Sequence, residues 1–250
     1  MNGTASRRIK RLFGNTQQGA YLCPMTLQHF KQLYPGSSFP TLVENTAGEP
    51  WILKMRGAGN GPLSLLSEFI ANRVAAQLGW PVPDVNWIRI PDNYPWIFGT
   101  DEFDDIVQKS YGWNLGIQYI PDSQQIVSSD IESISEDFLN ILYTLDLFFM
   151  NVDRTAKACN LLRDGMGRFW IIDHGFLMLF QPVTKLGTTL FSTHIFHILF
   201  PGRLFQYDRR LHDAALFEAA IRQIPEQILA DSGWTQSRLI ETVLLRMTQL

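Results

Sequence analysis

Cysteine is almost missing from the sequence: Cys23 and Cys159 stand far apart with no ligand-like spacing. That excludes a disulfide framework and a cysteine-held zinc site, and it fits a reducing compartment. A strong excess of either charge is missing too. The formal net charge is −3, too small to draw in nucleic acid or an anionic membrane surface. The one basic cluster, SRRIKR at 6–11, reads as a solvated arm rather than a nucleic-acid contact. No hydrophobic run is long enough for a bilayer. The most apolar one, FLNILYTLDLFFM at 138–150, is short and carries Asp146. The N-terminus lacks an apolar signal core, and no repeat or low-complexity tract is present. The expectation is a cytoplasmic globular protein that binds neither membrane nor nucleic acid.

The 250 residues, 46% of them hydrophobic, suffice for one large domain or two small lobes with a sizeable core. After a polar arm over 1–20, the apolar spacing in TLQHFKQLY (26–34) predicts a short helix. SFPTLVEN and EPWILKMRG predict two strands joined by a turn at Ala47-Gly48. PLSLLSEFIANRVAAQLG (62–79) predicts a helix. Pro62 suits its first turn and Gly79 its stop, and Leu65, Leu66, Phe69, Ile70 and Val74 fall at helical spacing. VPDVNWIRI (82–90) alternates like a strand, and YPWIFG or LGIQYI supplies another. Residues 122–137 are polar and serine-rich, a connector. Ser133 and Glu136 have capping-box spacing ahead of a helix running to Phe149. CNLLRD (159–164) and RFWIID (168–173) predict a hairpin across Gly165–Gly167. Helices follow at 213–223 and, past Pro225, at 237–247. The fold class is α+β: a small mixed-sheet lobe with one helix over residues 1–120, then a mostly helical lobe with one hairpin over 121–250.

Three polar residues sit beside apolar runs in NVDRTAKACNLL (151–162) and FWIIDHG (169–175). A carboxylate there is costly to bury unless a charge meets it. The hairpin makes Asn160 and Asp173 neighbours, and an Asp–Asn oxygen pair is what Mg²⁺ takes when phosphates and water fill its other positions. Asp153, on the loop before, is placed to accept a proton from a hydroxyl or to orient it. Lys54 in WILKM needs an anion, and Glu68 on the predicted helix can supply one. PGSS (35–38) offers a turn with free backbone N–H groups for phosphates. Each residue alone also has an ordinary explanation. Lys54 reaches solvent from a sheet edge, Glu68 is a solvated helix residue, Asp153 and Arg154 form a local salt bridge, and Asn160 caps the hairpin. GAGNG (57–61) reads as a turn, and His194 and His197 as core or surface residues without a third metal ligand.

The order of these parts resembles the protein-kinase-like fold, and more narrowly the HipA-like kinases, whose loop reads like NVDR and whose second motif reads like IDHG. TLVENTAGEPWILKMRG and LSEFIANRVAAQLGWPVPDV look like that group's lysine strand and glutamate helix. The likeness covers roughly residues 34–180. It implies a two-lobed fold and an ATP- and Mg-dependent phosphotransferase acting on a hydroxyl of a protein or small molecule. It implies Lys54 for the nucleotide phosphates and Glu68 for orienting it. Asp153 would be the base, and Asn160 and Asp173 the metal ligands. Gly36, Ser37, Ser38, Gln118 and Tyr119 would be nucleotide contacts, and His174 stands where kinases usually have an aromatic. One departure stands out. Kinase-like loops usually carry the amide five residues after the aspartate, where this chain has Ala158, and Asn160 comes seven residues on. Ala158 keeps open a pseudokinase that binds a nucleotide or a partner. Transfer of AMP, and a metal-dependent hydrolase built on Asp153, Asp173 and His174, are further alternatives.

Overall fold

A computed structural model describes residues 25–59, 61–95, 100–175, 180 and 192–250. The basic cluster at 6–11, Cys23 and part of YPWIFG lie outside the described residues.

The N-terminal half is a closed five-stranded barrel in the order β1-β2-β3-β5-β4. Its strands are β1 Met25–Leu33, β2 Thr41–Asn45, β3 Pro50–Lys54, β4 Val85–Ile90 and β5 Gly112–Gln118. Neighbours are antiparallel except β1 and β4, whose short parallel pairing at Met25 and Thr26 closes the barrel. Gly48, at φ 79, makes the β2–β3 turn as expected.

The helix expected at 26–34 is instead strand β1. Leu27 and Phe30 are its buried residues, three apart as in a helix, but register shifts at 27–29 and 30–32 break the two-residue alternation. A bulge adds one residue and returns the next apolar side chain to the same face, so a bulged strand imitates helical spacing.

The barrel interior holds Leu27, Phe30, Val43, Leu53, Met55, Ile88 and Ile90. It is plugged by helix α2 (Asp101–Lys109), which brings in Phe103, Ile106 and Val107. Helix α1 (Pro62–Gln77) packs on the other face of the sheet, against Val85, Trp87, Leu115 and Ile117. Strand β4 is therefore buried on both faces, with Arg89 alone exposed.

The remainder is mainly helical. A short strand β6 (Gln124–Gln125) and a 3₁₀ turn (Ser128–Ser133) precede helix α3 (Glu136–Phe149). The cap of α3 is Ser135, whose hydroxyl accepts from Phe138 N–H, and not Ser133, which bonds back to the Asp130 carbonyl. Strands β7 (Leu161–Arg163) and β8 (Phe169–Ile171) form the expected hairpin, with Leu161 opposite Ile171. Asp164 ties its turn by accepting from Met166 N and Arg168 N. Helices α4 (Ile195–Leu199), α5 (Ala214–Ile221), α6 (Glu226–Ser232) and α7 (Gln236–Gln249) complete the chain. One apolar cluster runs from α1 and the outer sheet face through α3 to α5, α6 and α7. Among the described residues, no helix is long and apolar enough to cross a membrane.

Candidate active site

Lys54 ends β3. Strand alternation sends Leu53 into the barrel and Lys54 outward toward α1. There its Nζ donates to Glu68 Oε2 and to Asp173 Oδ1, both at 2.7 Å. Lys54 and Glu68 are buried, while Asp173 keeps 42% of its side chain exposed. Burial opposes the Lys54 charge, but the two carboxylates outweigh it and hold the ammonium's pKa above its ordinary value. One cation between two carboxylates leaves a surplus negative charge, and the pair divides accordingly. Asp173 is held low, chiefly by the Lys54 charge. Burial pushes Glu68 up against the pull of Lys54.

The loop 35–38 connects β1 to β2 and is closed at its base by Tyr34 N donating to Pro40 O at 2.9 Å. Gly36 is at φ 147, and Phe39 N bonds its carbonyl. The turn at 57–59 packs beneath: a Cβ on Gly59 would lie 3.2 Å from Ser38 Cα. The described part of GAGNG is thus a turn supporting the loop. Burial, and after it the nearby Tyr119 hydroxyl, push the Tyr34 pKa up, which places Tyr119 near the base of this loop. Gln118 is tied elsewhere, its Oε1 accepting from Asp84 N at 3.1 Å.

Asp153 follows α3, whose left-handed cap Met150 turns the chain into the loop. The loop is built around a carboxylate that sequence reasoning used only to argue against a bilayer span. Asp146, fully buried, accepts from Arg154 Nε at 2.6 Å, His194 Nε2 at 3.0 Å and Asn151 Nδ2 at 2.9 Å. His194 Nδ1 accepts from Phe196 N, which fixes the tautomer with the proton on Nε2. Arg154 therefore pairs with Asp146 and not, as the local salt-bridge reading had it, with Asp153. Its Nη1 also holds the carbonyls of Cys159 and Asn160, each at 2.8 Å. Arg154 and the His194 hydrogen bond overcome burial and keep the Asp146 pKa far below the carboxylate range. The signal was available: an aspartate inside TLDLFFM needs a cation, and Arg154 is the first one after it.

This framework leaves Asp153 exposed, anchored by its N–H to Asn151 Oδ1 at 3.1 Å. Desolvation by the surrounding protein, then the Asp173 charge, push its pKa up. Across the hairpin, Ile172 N donates to Asn160 O at 3.1 Å, setting Asn160 beside the Ile172–Asp173 step. Asn160 and Asp173 both take left-handed backbone angles, φ 51 and 62. Paired outliers of this kind recur at functional sites. His174 is buried, and its Nδ1 faces Asn72 Nδ2 at 3.4 Å. Burial pushes its pKa down to about 3.

Lys54, Glu68 and Asp173 are thus in direct contact, Asp153 is within electrostatic reach, and Asn160 is a register neighbour. His194 is buried on Asp146, and His197 is exposed on α4. No group of three or more His, Cys, Asp or Glu side chains is placed to hold a metal among the described residues. A metal here needs oxygens from a ligand as well, which is how Mg²⁺ is held with phosphates. The side chains fit that arrangement. The described ion pair of Asp173 uses Oδ1, and Asn160 Nδ2 is buried without a protein partner. Turning the amide over presents its oxygen instead.

A family model described as HipA-like kinase matches residues 28–243. The chain belongs to the HipA-like kinase family. The match starts in β1 and ends in α7, so it spans the barrel, the Lys54–Glu68–Asp173 contact and the C-terminal helices. Among solved structures, the chain is similar to a Helicobacter pylori proinflammatory kinase, CtkA. The two share 12% identity at a TM-score of 0.48, over 89% of this chain and 95% of that one. No curated protein matches the sequence.

Proposed function

We propose that this HipA-like protein is an ATP- and Mg²⁺-dependent phosphotransferase. It moves the γ-phosphoryl group of ATP to a hydroxyl of a protein or small molecule. The nucleotide lies between two lobes, residues 1–120 and 121–250. The observation that carries the reading is the double ion pair of Lys54 with Glu68 and Asp173, both at 2.7 Å. It joins β3, α1 and the hairpin end at one point.

Lys54, fixed by Glu68, meets the nucleotide phosphates, and the 35–38 loop with Gly36, Ser37 and Ser38 covers them. Tyr119 and Gln118 border the base. Asp173 and Asn160 would hold Mg²⁺, which when bound would neutralise charge on the phosphates. Asp153 takes the proton of the acceptor hydroxyl as its oxygen bonds to the γ-phosphorus. The bond from that phosphorus to the β–γ bridging oxygen breaks, and ADP leaves. Exposure of Asp153 leaves room for an acceptor, and its raised pKa suits a proton acceptor.

Asp153→Ala and Asp173→Ala should each lower phosphate transfer by about 10²–10⁴-fold while circular dichroism stays native. Unaltered transfer in both variants refutes the assignment. Ala158 favours a second reading, a pseudokinase. It occupies a Thr155–Ala158 turn and offers no side-chain ligand where kinase-like loops usually place the amide. Calorimetry separates the two, since ATP binding without Mg²⁺ dependence or turnover belongs to the pseudokinase. A product heavier by AMP rather than phosphate marks nucleotidyl transfer.

A further inference from the structure

Residues 173–175 run along one stripe of α1. Ser64, Glu68 and Asn72 lie four residues apart and so share a helix face. Lys54 links Asp173 to Glu68. The backbone N–H of His174 faces the Glu68 carboxylate and favours its charged form. A Cβ on Gly175 would lie 3.4 Å from Glu68 Oε2 and 3.6 Å from Ser64 Cβ. At the far end, Asn72 Nδ2 faces His174 Nδ1 at 3.4 Å and donates to the Glu68 backbone carbonyl at 2.9 Å. A primary amide has two protons, so one goes to the carbonyl and one to the imidazole, with Nδ1 accepting.

Asn72 and His174 are each 1% exposed, so the pair is shut off from bulk solvent. Asn72 Oδ1 and His174 Nε2 have no protein partner. An apolar pair of similar shape would pack there without leaving polar atoms unsatisfied. What the polar pair offers in exchange is direction. Its hydrogen bond forms in a single register of 173–175 against α1, whereas apolar contact tolerates sliding.

We infer that Asn72 and His174 are positioning residues that set the register of the Asp173 segment on α1, so that Glu68 and Asp173 reach Lys54 together. Its bearing on transfer rests on the phosphotransferase reading; its bearing on the segment does not.

Hydrogen exchange of the free full-length chain, read by mass spectrometry, tests it. In Asn72→Ala, amides at 173–175 should exchange about tenfold faster, the loss of roughly one buried hydrogen bond, with barrel amides unchanged. In the same variant kcat should fall about tenfold with KM for ATP within about twofold, as expected when ground-state binding is spared. The double variant Asn72→Leu/His174→Phe should regain thermal stability yet keep fast exchange and low kcat. Should Asn72→Ala unfold, Asn72→Ser, too short to span to the imidazole, reads the same quantities. Unchanged exchange at 173–175, or a double variant that recovers slow exchange along with stability, overturns the inference. A wild-type chain that transfers no phosphate sinks the functional reading and leaves the exchange comparison to decide this one.

Discussion

Asp146→Ala is the most informative single perturbation of the framework beneath the site. The carboxylate is fully buried and accepts from Arg154, His194 and Asn151 at 2.6, 3.0 and 2.9 Å. Removing it leaves the Arg154 guanidinium buried without its counter-charge. Breaking a buried ion pair from one side costs about 3–5 kcal/mol. For a chain of this length each kcal/mol lowers Tm by about 2–4 °C, so the melting point should fall by about 6–20 °C. Total stabilities of about 5–15 kcal/mol put that loss near the limit of folding. Asp146→Asn keeps the shape and an accepting oxygen and should lose less. The two variants also differ from wild type in pH dependence. The Asp146 pKa is depressed in the folded chain from an ordinary 3.8. Its stabilisation is therefore complete above that value and disappears as pH falls through the folded one. The Tm gap between wild type and Asp146→Asn should hold near neutrality and narrow in acid. Differential scanning calorimetry at several pH values reads both. An Asp146→Ala chain melting within about 2 °C of wild type would refute the claim that this ion pair holds the Asp153 loop.

Glu68→Gln removes the surplus negative charge of the Lys54 trio while its amide oxygen still accepts from Lys54. Tm should stay within about 2 °C of wild type, while transfer falls at least about tenfold; a fall in Tm as large as that of Asp146→Ala contradicts the charge count. Gly112 is at φ +96, and a Cβ there would collide with the side-chain amide of Gln227. Gly112→Ala should cost about 1–3 kcal/mol in denaturant unfolding, and Gln227→Ala in the same chain should recover part of it; no recovery means that α6 is not what crowds the strand. The Asp153 carboxyl should titrate above the ordinary 3.8 in a carbon-13 NMR experiment, and Asp173→Asn should bring it down by removing a neighbouring negative charge. Since the base must be ionised, kcat/KM should fall as pH drops through that raised value, and a flat acid limb argues against Asp153 as the base.

Local chemistry made much of the fold legible. Gly48 between two apolar runs, Pro62 and Gly79 around a helical stripe, and Gly165–Gly167 inside a hairpin are signals contained in a few residues. Long-range pairing left no such signal. The barrel closes through two residue pairs between β1 and β4, and nothing near Met25 announces Ile88. Helices α2 and α6 were not foreseen; α2 has only Phe103, Ile106 and Val107 as its apolar buried face. The site divides the same way. Lys54 and Asp173 stood out because a charge beside an apolar strand needs a partner. Asn72 and His194 did not, because their importance comes from what the fold brings to them, His174 in one case and Asp146 in the other.

The two buried charge groups differ in a way that bears on the proposed chemistry. Asp146 and Arg154 balance each other, so their pair can be permanent scaffolding. The site itself does not balance. Lys54 contributes one positive charge against the formal negative charges of Glu68, Asp173 and the neighbouring Asp153. A polyanion entering alone meets that excess, and one entering with a divalent cation cancels it. Asp173 now spends its charge on Lys54. A cation taking over Asp173 would release the ammonium toward the phosphates while Glu68 keeps it in place. On the proposed reading, the ion pair that closes the free site is therefore also the one that nucleotide and metal exchange into their own contacts.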